Sequence, residues 1–136
     1  MIEAYSTNVT VESGSTVPLN NVIRVTGKST DVSGSGTIEL NGNGVYIINV
    51  SASVVANAGG IIQLQLYKDG SAISEAVAFE TASDTSGIHN LSFMVPIRIT
   101  QSTCCCWNVP VQITLVNAGV SVTVNIVSVM AYKAVS

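Results

Sequence analysis

Charge is what this sequence has least of. Only 10% of its 136 residues are Asp, Glu, Lys or Arg, against about 25% in ordinary soluble domains. A surface without charge must be neutral polar or covered by partners, and Ser, Thr, Asn and Gly are abundant here. The five cations, Arg24, Lys28, Lys68, Arg98 and Lys133, stand singly, which argues against nucleic-acid binding through a basic patch. A net charge of -3 is too small to steer a partner from afar. Long apolar runs are also missing. None approaches the roughly 20 residues of a membrane helix, so no membrane insertion is expected. No helical period longer than one turn occurs, and no heptads, Gly-X-Y stretch or internal repeat. The start, Met1-Ile2-Glu3-Ala4-Tyr5, lacks the basic and apolar regions of a secretory signal. Synthesis in a cytoplasm with reduced thiols is expected, and the sequons at Asn8, Asn49 and Asn90 are expected to stay unmodified.

The residue sets that carry chemistry are missing too. His89 has no neighbouring nucleophile and orienting acid in sequence, so no catalysis is expected. Asp31, Asp69, Glu75, Glu80 and Asp84 do not have the spacing of a calcium loop. Cys104-Cys105-Cys106, followed by Trp107, is the one conspicuous cluster. Adjacent cysteines rarely meet disulfide geometry, and a zinc site wants Cys-x2-Cys spacing and four ligands. These thiols are therefore weak metal candidates and are read as small apolar side chains. No cofactor is expected.

What remains is strand and turn from end to end. Thr7–Val11, Val22–Thr26, Thr37–Leu40, Val45–Val55, Ile61–Lys68, Ala72–Glu80, Leu91–Thr100, Val109–Val116 and a final strand from Val120 to Tyr132 are predicted. Asn41-Gly42-Asn43-Gly44, Asp69-Gly70 and Asn117-Ala118-Gly119 read as turns, and Gly27–Gly36 and Ser83–Gly87 as loops. Many short strands with such punctuation, about eight in the core plus short N-terminal ones, predict an all-β, eight-stranded two-sheet sandwich in a single domain. Residues 1–26 are expected as short strands and a docking segment, and residues 27–136 as the sandwich.

The final strand changes character halfway. Val120, Val122, Val124 and Ile126 alternate with Ser121, Thr123 and Asn125; beyond Val127 both faces turn apolar. Val45-Tyr46-Ile47-Ile48 is two-faced as well. Strands apolar on both faces are covered on both sides, and with no helix to supply the cover, another copy of the chain is expected to do so.

The run Ile38-Glu39-Leu40-Asn41-Gly42-Asn43-Gly44-Val45-Tyr46-Ile47-Ile48-Asn49-Val50, the hairpin Leu64 to Ile73 and the final strand resemble the jelly roll of tumour necrosis factor-like and complement globular-head proteins. The resemblance covers residue 35 onward. It implies a homotrimer with inner-sheet aromatics about the three-fold axis, and it makes Tyr46, Ile48, Val127, Val129, Met130 and Tyr132 the candidate interface. On that basis Val129→Asp is expected to split the trimer and Thr123→Asp to do much less. An unsignalled jelly roll without a stalk is most similar to bacteriophage head-fibre and capsid-decoration proteins. The expectation is a non-enzymatic virion protein made in the host cytoplasm, bound to other virion proteins such as the major capsid protein. The alternative is a glycan- or receptor-binding tip of a phage tail or baseplate, or a bacterial surface module, with a pocket near Tyr67 and Trp107 and a cell-surface glycan as partner.

Overall fold

The computed structural model describes residues 1–25, 29–34, 36–100 and 110–135. All regular structure among these residues is strand: β1 (Ile2–Val11), β2 (Asn21–Val25), β3 (Thr30–Ser33), β4 (Thr37–Leu40), β5 (Gly44–Ala56), β6 (Gly60–Lys68), β7 (Ser71–Ala82), β8 (Ile88–Ile99), β9 (Val111–Asn117) and β10 (Val122–Val135). They form two five-stranded antiparallel sheets, ordered β2-β1-β10-β5-β8 and β3-β4-β9-β6-β7. The chain crosses between sheets repeatedly, as a jelly roll requires.

Period-two alternation builds the core. Tyr46, Ile48, Val50 and Val54 of β5 face Ile62, Leu64 and Leu66 of β6 and Ile113 and Leu115 of β9, all fully buried. The β6–β7 hairpin turns on Asp69 and Gly70, both at positive φ. That is the backbone of the two-residue primed turn whose twist matches paired strands.

Three expectations need correction. Thr30–Ser33, inside the segment read as loop, pairs with β4 as an edge strand; its Ser- and Gly-rich flanks hide the strand signal. The strands within residues 1–25 belong to the sandwich and do not precede it. β1 lies between β2 and β10, and Ile2, Ala4, Val11, Val17 and Leu19 are core residues.

The third correction concerns β10. Val122 and Val124 point into the core, and so do Val127, Val129 and Ala131, because the register against β5 slips between Val124 and Ile126. β1 makes the same change of phase: Ile2, Ala4 and Ser6 are inward, then Val11, with Asn8 at φ 54 between them. The two strands stay in step with each other (Thr7 opposite Ile126, Val9 opposite Val124), which sets Asn8 opposite Asn125. The pattern switch in the last strand is thus first of all a bulge shared by two strands. Ile126 leaves the core face that its sequence neighbours occupy and is 49% exposed.

Candidate functional site: the outer face of the first sheet

Strand register arranges the outward side chains of β1, β10, β5 and β8 in rows. One row runs Glu3, Met130, Asn49, Met94; the next runs Tyr5, Ser128, Ser51, Ser92; a third runs Thr7, Ile126, Ser53, Asn90. Tyr132, Ile47 and Pro96 form a row beyond Met130, and Thr123, Val55 and Ile88 a row beyond Ile126. The face therefore has apolar bands at both ends and a band of serines between them. The ionic side chains pointing this way from the four strands are Glu3 and Arg98, and both lie toward the pole that holds Ile2 and Val135. Met94 is 66% exposed here. Covering such side chains is favourable by about 25 cal/mol per Å² of apolar area.

The six expected interface residues divide between two faces. Tyr46, Ile48, Val127 and Val129 point between the sheets and are buried within one chain. They cannot touch a second copy, and the expectation is corrected for those four. Met130 and Tyr132 point outward and are half-buried. The residues that share their face, Ile47, Met94, Pro96 and Ile126, were legible only in part. Met94 and Pro96 stand among Asn90, Ser92 and Arg98 on the outward side of β8, which is the sequence signal; Ile126 is displaced by the bulge and leaves none.

Tyr46 is occupied inside the fold. Its hydroxyl donates toward the carbonyl oxygens of Asn41 and Gly42, and burial pushes its phenol pKa up. Lys133 Nζ lies 5.6 Å from the centre of its ring.

The remaining polar groups tie the sandwich together. His89 Nδ1 is 2.8 Å from Glu80 Oε1, joining an edge strand of one sheet to an edge strand of the other. Asp84 Oδ1 accepts the backbone N–H groups of Ser86 and Gly87, which hold its carboxyl pKa below the ordinary value. Asn117 is fully buried and was expected only as a turn residue. Its Nδ2 donates to the carbonyls of Val11 (3.0 Å) and Val120 (2.9 Å), and its Oδ1 accepts from Gly119 N (3.0 Å). Among the described residues no group of three metal-ligating side chains occurs. Cys104, Cys105, Cys106 and Trp107 lie outside the described residues. Tyr67 is half-buried on the outer face of the second sheet, pairing with Thr114 and Ala72.

No protein-family model matches the chain, and no curated protein matches it in sequence. Solved structures match it in fold. PRD1 vertex protein P5 superposes with a TM-score of 0.59 at 15% identity, covering 97% of this chain and 94% of its own. The globular domain of zebrafish complement 1qA protein gives a TM-score of 0.59 at 12% identity, covering 97% and 96%. With its two five-stranded sheets and these superpositions over nearly the whole chain, the fold is a tumour necrosis factor-like jelly roll.

Proposed function

We propose that this chain is a non-enzymatic virion structural protein, a homotrimer set on a bacteriophage particle as a head fibre or capsid decoration. The observation that carries the assembly is the outer face of the first sheet: four strands wide, almost free of charge, with apolar bands at both ends. A sheet face of that composition fits burial against a copy of itself better than contact with water. A trimer closes when the contact is heterologous and the rotation is threefold. The virion assignment is supported by fold-level likeness to a phage vertex protein, an analogy that raises the expectation without supplying a site.

The pole that holds both strand ends, Ile2 and Val135, faces the particle and its major capsid protein in this reading, and the pole with the 83–87 loop faces outward. The protein works by shape: three sparsely charged sandwiches held at the axis, spaced along a surface. Antibody labelling and quantitative mass spectrometry of purified particles test the assignment. The chain should be an abundant particle component, with label on the head. Label confined to the tail, or recovery of the chain only from the unassembled fraction, would overturn it.

A further inference from the structure

At the pole that holds both strand ends, the first sheet carries a cleft of about 200 Å³. Val135, Val45 and Arg98 form one row across β10, β5 and β8, and Asn43, Gly44, Ile99 and Thr100 complete the lining. One wall is backbone by necessity. A Cβ on Gly44 would lie 2.4 Å from the Val135 carbonyl oxygen and 2.6 Å from Lys133 Cε. Lys133 runs behind that wall, so two of the chain's five cations converge on this pole.

Among the described residues, Arg98 is exposed without an ion pair and no Asp or Glu lines the cleft. Val45, Ile99 and Val135 give the cleft apolar lining, and Asn43 and Thr100 add neutral polar side chains. The volume lies below the roughly 300–1,000 Å³ of sites that enclose whole small molecules, so the cleft suits an end group. A guanidinium offers a planar fork that matches a carboxylate with two parallel hydrogen bonds.

We infer that this cleft binds a carboxylate carried on a short apolar stem, with Arg98 as its partner and Lys133 adding positive potential from behind Gly44. The inference does not depend on the proposed subunit contact. An acidic side chain and a free aliphatic acid present the same chemistry, and the experiment separates them.

The probe is sodium butyrate, titrated into the full chain against sodium chloride at equal ionic strength and followed by ¹⁵N-resolved NMR. The Arg98 side-chain signal and the Gly44 and Thr100 amides should move saturably in the millimolar range. Chloride should not reproduce the shifts. Arg98→Gln should abolish them while leaving the rest of the spectrum in place, and Arg98→Lys, which keeps the charge and loses the fork, should weaken binding several-fold. Equal movement in chloride, or undiminished movement in Arg98→Gln, would overturn the inference. A fall in sedimenting mass as butyrate binds identifies the natural carboxylate as a second copy's side chain, and an unchanged mass identifies one from another molecule. If butyrate moves nothing, the mass of Arg98→Gln decides. Dissociation that Arg98→Lys does not show means that a second copy's acid already fills the cleft; an unchanged mass overturns the inference.

Discussion

Asn117 shows how much a single side chain can hold in this fold. Its amide satisfies the end of β1 and the turn at Gly119 and Val120 from a fully buried position. Asn117→Ala removes the partner of one buried carbonyl, Val11, and of two part-buried groups, Val120 O and Gly119 N, and unfolding in urea should report a loss of about 2 kcal/mol. At Val129, 1% exposed in the core, Asp introduces a buried charge with no partner. That variant should lose more than about 4 kcal/mol and fail to give a cooperative transition. Asp84 acts in the opposite medium, at the surface. Its folded pKa is depressed by two backbone N–H groups, so its contribution to loop order is present above the ordinary aspartate value of about 3.9 and fades as pH falls through the lower folded value. An NMR titration of the Ser86 and Gly87 amides should give a midpoint below that ordinary value. A midpoint at or above it would contradict the assigned hydrogen bonds.

At the scale of elements, the paired irregularity of β1 and β10 governs which residues face where. Asn8 sits in the left-handed region, which Asn tolerates and β-branched residues do not. Asn8→Val should cost about 1–2 kcal/mol in chemical unfolding, and Asn8→Gly should be close to neutral. Equal stability of the two variants would mean that the bulge is not held by this residue. The same feature explains how far the sequence could be read. Strands with strict alternation, such as Ile62-Gln63-Leu64-Gln65-Leu66, announce both their type and their buried face, because one residue in two meets the core. Thr37–Leu40 has the same bounds in sequence and structure. β10 breaks the rule: after the bulge the inward set moves from even to odd positions, so Ile126 was assigned to the wrong side. Tyr46 and Val129 were placed at an axis because apolar residues on both sides of a strand do not say which side meets the other sheet. Only pairing, a property of residues far apart in sequence, settles that. β3 escaped because four residues between Ser and Gly carry too little pattern.

For the whole molecule, the proposed trimer assigns the two faces of the first sheet to stability and to assembly. Substitutions toward the second sheet should then act on folding, and substitutions on the outer face on association. Met130→Asp places a charge among Glu3, Asn49 and Tyr132 without entering the core. It should leave far-ultraviolet circular dichroism and the unfolding midpoint of the separated chain near wild-type values. The edge strand β8 carries Pro96, which cannot donate to a further strand. The sheet is therefore expected to meet its partner through its face and not by lengthening, and chains should not add edge to edge into fibres at high concentration in light scattering.

Sedimentation equilibrium at micromolar concentration, on the wild-type chain beside Met130→Asp and Ile126→Asp, tests the central claim most directly. The wild type should sediment at three times the single-chain mass, and both variants at the single-chain mass while remaining folded. A wild-type chain that is a monodisperse monomer, or variants that stay trimeric, would contradict the assignment of this face to subunit contact.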